Sequence, residues 1–410
     1  MKIIIIGCGK VGRTLTEQLA TEAHNITVID TNPKKIQEVT EDLDVLGITG
    51  NGASISTLQE AGVEQADILI SVTGSDELNL LCCLIAKKAS RCQTVARVRN
   101  PMYSQEIDFI KAQMGVSMII NPELATALEI SRLLRFPAAI KVDNFSGGRI
   151  QLVKLKLDRR IPVGGMKVMD LPKRSGSDIL VCAVERDDTV YIPDGSFVLR
   201  ENDTISFVAA GDNVVRFLKA FSLPAAPVKS VIIVGGGTIG YYLAKQLSKT
   251  GMRIRIVENN LERCEFLSEM LPEDVTVIHG DGTDRHLLME EGLGQVEAFV
   301  TLTNLDEENI LLALFAKKNS GAKLISKVNR LAFDDIIEEL DIGSVIYPKY
   351  LTADYIIQHI RTMRHSAANT IETLYRLLDN RVEALEFSIL ESCPVTNIPL
   401  SELRLKPGYL

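Results

Sequence analysis

Two short stretches hold the residues best placed to do chemistry. Gly7-Cys8-Gly9-Lys10-Val11-Gly12 and Gly235-Gly236-Gly237-Thr238-Ile239-Gly240 both read G-x-G-x-x-G. Such spacing suits a phosphate: Gly7 makes a tight turn, Gly9 lets the backbone approach a pyrophosphate, and Gly12 lets the next helix pack closely on the preceding strand. The free N–H groups and positive dipole end of that helix then face the anion. An acidic residue follows each loop at about the expected distance, Asp30 after the first and Glu258 after the second. A carboxylate there accepts hydrogen bonds from ribose hydroxyls and repels a 2′-phosphate, which favours NAD over NADP.

The pattern carries weight only between a strand and a helix. Lys2 to Ile6 supply the strand, and Val11, Leu15 and Leu19 recur at helical spacing after the first loop. "ITVID" is a second strand ending at Asp30, and "DVLGI", "DILISV", "TVARVR" and "VSMII" follow, separated by helical segments. This alternation predicts about six parallel strands in a doubly wound α/β sheet. Ligands on such sheets lie at the carboxyl ends of the strands. Asn51, Thr73, Gly74, the stretch Asp76 to Asn79, and Arg97 fall there. On its charge alone, Arg97 fits a phosphate contact and a solvated surface arginine equally well.

The whole unit then recurs at a nearly constant offset. Asp281 answers Asn51, Thr303 answers Thr73, "DEEN" at 306–309 answers "DELN" at 76–79, Lys327 answers Arg97, and Pro348 answers Pro122. So many ordered matches mean a duplicated domain. The expected organisation is a Rossmann-type domain at 1–135, a small α+β lobe at 136–222 with strands such as "RIQLVKLKL" and "TISFVAA", and a stiff Pro-containing linker at 223–228. A second Rossmann-type domain at 229–370 and a partial second lobe at 371–410 complete it. That last lobe tracks the first and stops partway, so the reading is of a shortened lobe with a poorly anchored end.

Composition narrows the function. No apolar run reaches the roughly 18 residues of a membrane helix, and Lys2 to Ile6 lack the features of a signal peptide. The seven cysteines form no C-x-x-C and no metal-ligand spacing, so reduced thiols and no metal are expected. A formal net charge of −8 argues against nucleic acid as a partner. A dehydrogenase needs an acid/base group beside the nicotinamide, and the five scattered histidines offer none. Tyr241-x-x-x-Lys245 lies on the adenosine side of the second loop, out of reach of such chemistry. Two binding loops without catalytic residues predict a sensor. The competing readings are an NAD-dependent dehydrogenase whose small lobe adds a substrate site, and a redox-sensing DNA regulator, which lacks its basic recognition helix.

"GCGKVG" with Asp30, "DELNLL", "ARVRNP", "IPDGSFVLRENDTISF" and "GGGTIG" with Glu258 resemble the RCK (regulator of potassium conductance, KTN) family. The resemblance is to the tandem form that regulates Trk-system potassium uptake, and it covers essentially the whole chain. It implies a non-enzymatic, cytoplasmic subunit, peripheral on the inner face of the membrane. It further implies assembly into a homodimeric or homotetrameric gating ring under an integral-membrane Trk potassium channel, with NAD or NADH as ligand and ATP or ADP as alternatives. Carried over, Gly7 to Val11 would wrap phosphates, Asp30 the ribose, Thr73 and Gly74 the adenosine or phosphate side, and Arg97 a phosphate. Gly235 to Ile239, Glu258 and Lys327 would do the same in the second unit. Lys10 adds charge where the second loop has Thr238, so the first site should accept ATP or ADP better. The helix with Leu124, Leu128, Ile130, Leu133 and Leu134 suits either a partner-facing crossover or core packing.

Overall fold

The structure is a computed structural model. It describes residues 1–365 except 23, 105, 146–147, 158–160, 162, 188, 330–333 and 341, together with 371–377, 382–387, 396–399 and 402. The chain divides into one unit of Met1–Leu128 with Ser230–Ile357 and another of Glu129–Lys229 with Gln358–Leu410.

In the first unit, strands β1 (Lys2–Ile6), β2 (Asn25–Asp30), β3 (Leu46–Thr49), β4 (Ile68–Ser71), β5 (Gln93–Arg97) and β6 (Met118–Ile120) form a six-stranded sheet. Its order is β3-β2-β1-β4-β5-β6 and every neighbouring pair is parallel. Four consecutive isoleucines make β1 a central strand, because Ile3 to Ile6 are buried on both faces and leave no polar side for water. The strand order reverses beside β1, so the loops after β1 and β4 diverge there and open a crevice.

The unit's second sheet repeats this plan and is described with its own strands below. Between the two in sequence, β7 (Lys141–Phe145), β8 (Ile150–Lys156), β9 (Leu180–Arg186), β10 (Thr189–Tyr191) and β11 (Thr204–Ala210) build the antiparallel sheet of the other unit, ordered β10-β9-β11-β8-β7. Phe207 on β11 packs on Phe217 of the helix Gly211–Ala220, and Phe217 on Phe221, each at 4.9 Å between ring centroids. Arg186 grips the buried Asp203 with two bonds of 2.7 Å. Strand β7 escapes a sequence reading because Val142 alone of its residues is fully buried. Leu223 and Ala225, from the segment read as a stiff linker, join this core, and the Val228 N–H donates to the Leu134 carbonyl.

The second six-stranded sheet consists of β12 (Ser230–Val234), β13 (Arg253–Glu258), β14 (Val275–His279), β15 (Ala298–Thr301), β16 (Lys323–Lys327) and β17 (Ser344–Ile346). Its order, β14-β13-β12-β15-β16-β17, is that of the first sheet, again all parallel. The expected pair of doubly wound sheets is therefore present. Of the expected partial lobe, only the antiparallel strands β18 (Ile371–Leu377) and β19 (Val382–Phe387) and a few later residues are described; 388–395 and 403–410 lie outside the described residues. Among the described residues no helix is long and apolar enough to cross a membrane.

On the helix Pro122–Arg135, Ile130, Leu133 and Leu134 are buried within this chain, so core packing accounts for them. The same helix buries Glu129 against Arg132 at 2.9 Å, with Asp143 and Lys141 of β7 nearby. Burial, and then the Asp143 charge, push the Glu129 carboxyl up to about 7. A carboxyl raised on folding takes up a proton, so stability declines as pH rises from about 4.5 toward 7. A Glu129→Gln variant should flatten this decline, gaining on the order of 2 kcal/mol relative to the parent between pH 5 and pH 8. Urea titrations at the two pH values measure it, and an unchanged slope would exclude Glu129 as the cause.

Candidate nucleotide clefts

Each glycine of the first loop answers a different physical demand. Gly7 follows β1 with φ of +100°, its N–H donating to the Ile29 carbonyl at 2.8 Å. A side chain there would be strained and would press on the Thr73 backbone. An added Cβ on Gly12 would collide with the Gly7 carbonyl oxygen, because the helix Lys10–Ala20 starts directly over the turn. Gly9, by contrast, has φ of −75° and faces open space. The second loop repeats all three features: Gly235 has φ of +106°, Gly240 lies against the Gly235 carbonyl, and Gly237 is open. Two glycines thus serve the protein's own packing, and the third leaves room for something outside it.

The acidic residues brace these loops. Asp30 accepts from the Cys8 N–H at 2.7 Å and from the Asn32 N–H at 2.9 Å. Glu258 accepts from Gly236 and Asn260 at the same two distances. In the first loop the Cys8 side chain is buried, and burial, then Asp30, push its thiol up to about 12, so it stays protonated. In the second loop, Arg263 donates through Nε to the Gly236 carbonyl at 2.7 Å.

A buried asparagine holds the opposite wall of each cleft. Asn79 sits in the first turn of the helix Asp76–Ala89, and its Oδ1 accepts from the Thr73 N–H and hydroxyl, both at 2.7 Å, and from the Ser71 hydroxyl at 2.9 Å. Its amide donates to the carbonyls of Thr73 and Arg97. Asn309, on the helix Asp306–Asn319, makes the matching bonds to Thr303 and to the Lys327 carbonyl. One fully buried side chain therefore ties β4 to β5 at their carboxyl ends, and its copy ties β15 to β16. The sequence placed Asn79 at the strand ends only as the last residue of the stretch Asp76 to Asn79, and Asn309 as its copy in "DEEN", without assigning either this bracing role.

Arg97 and Lys327 occupy equivalent places. Arg97 donates to the Thr73 carbonyl at 2.7 Å, and its Nε is buried without a partner among the described residues. Lys327 is 6% exposed and donates to the Leu302 carbonyl at 3.3 Å and Asn304 Oδ1 at 3.4 Å. Burial lowers the affinity of both side chains for their protons. Neither has a carboxylate at ion-pair distance among the described residues; Glu123 and Asp76 act on Arg97, and Asp306 and Glu123 on Lys327, from farther off, and a partly desolvated cation hydrogen-bonded to neutral acceptors suits an anionic ligand. Arg97 is therefore not a solvated surface residue.

Gly235, Gly237, Thr238, Ile239, Gly240, Glu258, Asp281, Thr303 and Lys327 line one cleft of about 890 Å³. Gly236 is not on its wall, being packed against Leu267 and Glu258. Asp281 forms a tight turn with Thr283, whose N–H and hydroxyl hold its carboxyl below the usual range. Asn51 makes the matching turn with the Ala53 N–H beside Asp30. In the first repeat Lys10 is exposed at the helix start, Val11 and Gly12 are buried beneath it, and the Gly74 carbonyl accepts from Arg99. Glu123 and Pro122 of the first repeat also line the second cleft, which no sequence signal indicated.

The chain matches the TrkA-N domain family over residues 3–122 and 231–348 and the TrkA-C domain family over 161–222. It is 34% identical to the Trk system potassium uptake protein TrkA of Halomonas elongata, covering all of this chain and 89% of that protein. It is 35% identical to a Trk system potassium uptake protein TrkA homolog of Archaeoglobus fulgidus, covering 91% of this chain and 84% of that one. Among solved structures, the GsuK channel bound to NAD aligns with a TM-score of 0.67 at 18% identity, over 89% of this chain and 64% of the GsuK chain. That likeness is one of fold.

Proposed function

The chain belongs to the TrkA family of Trk-system potassium uptake proteins, and from that premise we propose that it is a nucleotide-sensing regulatory subunit rather than an enzyme. Its two clefts take NAD(H) or an adenine nucleotide. The N–H groups of Gly7, Cys8, Gly235 and Gly236 are taken within the protein, so Gly9 to Val11 and Gly237 to Ile239 offer theirs to the phosphates, Asp30 and Glu258 accept from ribose hydroxyls, and Arg97 and Lys327 supply the countercharge. The observation that carries this reading is the pairing, in each repeat, of a cation removed from solvent, half-buried Arg97 or buried Lys327, with no carboxylate at ion-pair distance among the described residues, and a glycine whose free side faces outward. Family membership extends the proposal to a homo-oligomeric ring on the cytoplasmic side of an integral-membrane Trk potassium channel.

The dehydrogenase reading needs an acid/base residue near the ligand. The second cleft's wall holds no histidine, tyrosine or cysteine among the described residues. Tyr241 and Lys245 bond to each other at 3.3 Å, and neither lines that cleft.

Calorimetric titration with NADH, NAD and ATP tests the proposal on the parent chain and on Gly9→Val and Gly237→Val. Both glycines have extended backbone angles and open surroundings, so valine should leave the fold intact and block only the ligand. Expected are two binding events in the parent, one lost in each variant, and no change in nicotinamide absorbance with time. Consumption of NADH would restore the enzyme reading, and no binding in the parent would remove the sensor.

A further inference from the structure

The strand order divides the second cleft into two halves. Thr303 and Lys327 belong to the side of β15 and β16, whereas Glu258 and Arg263 follow β13 and Asp281 follows β14 on the other side of β12. Adenosine belongs in that second half, beside the acidic residue that ends the second strand. With the ribose hydroxyls on Glu258, the base beyond them needs a flat surface, and Arg263 supplies one.

Arg263 is fixed at both its backbone and its side chain. Asn260 Oδ1 accepts its N–H at 2.9 Å at the start of the helix Leu261–Met270, and its Nε donates to the Gly236 carbonyl at 2.7 Å. The Phe266 ring, one turn on, backs the guanidinium, with 4.6 Å between Cζ and the ring centroid. Phe266 in turn packs on the buried Tyr241 of the helix Thr238–Leu247, which opens the second loop, at 6.1 Å between centroids. The terminal NH groups of Arg263 meet no acceptor among the described residues, and the side chain lines the cleft. A guanidinium already held in one orientation loses little freedom when a second flat group covers it.

The first repeat has no such arrangement. Its helix Pro33–Asp42 matches Leu261–Met270 end to end, so Lys35 stands in the place of Arg263 and Glu38 in that of Phe266. Both are exposed, and Glu38 lies 3.9 Å from Arg13, the counterpart of Tyr241. We propose that the Arg263 guanidinium, backed by Phe266, is the platform on which the second cleft stacks a purine base, so that this residue selects adenine nucleotides over pyrimidine ones. Nucleobases stack on guanidinium planes, and the two fused rings of a purine cover the plane more fully than one ring does. This rests on the nucleotide-binding reading above and adds the residue that chooses the base.

The test uses the full chain with Gly9→Val to silence the first cleft, and measures ADP and UDP by calorimetry with Arg263 intact or changed to Lys. The two ligands carry the same ribose and diphosphate, so their affinity ratio isolates the base. Expected is a preference for ADP that falls about fivefold with Arg263→Lys, the lower end of what stacking one base contributes, because lysine keeps the charge and loses the plane. Phe266→Leu, which leaves Arg263 its charge and its carbonyl partner, should lower the same ratio. A loop merely loosened by these changes would weaken both ligands alike. An unchanged ratio in both variants, or equal binding of ADP and UDP with Arg263 intact, would overturn the platform. Absence of all nucleotide binding, NADH included, with Arg263 intact would instead overturn the underlying reading and this assignment with it.

Discussion

Gly12→Ala should cost the first repeat about 3 kcal/mol, near the upper end of overpacking penalties, because the new methyl would meet a backbone carbonyl and not a movable side chain. Relief requires the helix Lys10–Ala20 to lift from the turn at Gly7, which would expose Val11, Leu15 and Leu19. Ligand binding in the first cleft should vanish along with the stability. Hydrogen exchange across β1 would show the loss directly, while β12 should keep its protection. Gly9→Ala provides the contrast, since its Cβ enters open space. Equal exchange rates in Gly12→Ala and Gly9→Ala would refute the steric argument.

The second large effect is expected for Asn79→Ala. Truncation leaves the Thr73 N–H, the Ser71 hydroxyl and the Arg97 carbonyl without their partner at a fully buried site. An unsatisfied buried donor or acceptor costs about 1–3 kcal/mol, so several left together should destabilise the carboxyl ends of β4 and β5 by about 3 kcal/mol. Thr73 and Arg97 would lose their shared anchor, and the first cleft should bind its nucleotide at least about tenfold more weakly. Asn309→Ala should do the same to the second cleft alone, through Thr303 and Lys327. Calorimetry on the two variants separates the effects, and normal affinity at both clefts in Asn79→Ala would show that this network does not position the site.

Much of this architecture was legible in the residues. Runs such as Ile3 to Ile6 and Val231 to Val234 can be satisfied only by burial on both faces, which marks central parallel strands. The glycine positions follow from local sterics, and the duplication made each feature of one repeat a check on the other. Strand β7 was not legible, since Lys141, Asp143 and Asn144 hide a single buried valine. The apolar helix at 122–135 left two readings open because periodicity shows that a face is covered without showing by what.

The sequence by itself determined the two loops, their acidic partners and the duplicated α/β plan. Those features are local or periodic, so the chain's own order displays them. Only the tertiary structure decided that Lys327 is a buried cation and Arg97 a half-buried one, that Asn79 and Asn309 hold two strand ends each, and that Glu123 stands on the wall of the other repeat's cleft. Burial and hydrogen-bond satisfaction depend on neighbours distant in sequence, and a residue's charge acquires a role only once folding fixes what lies opposite it.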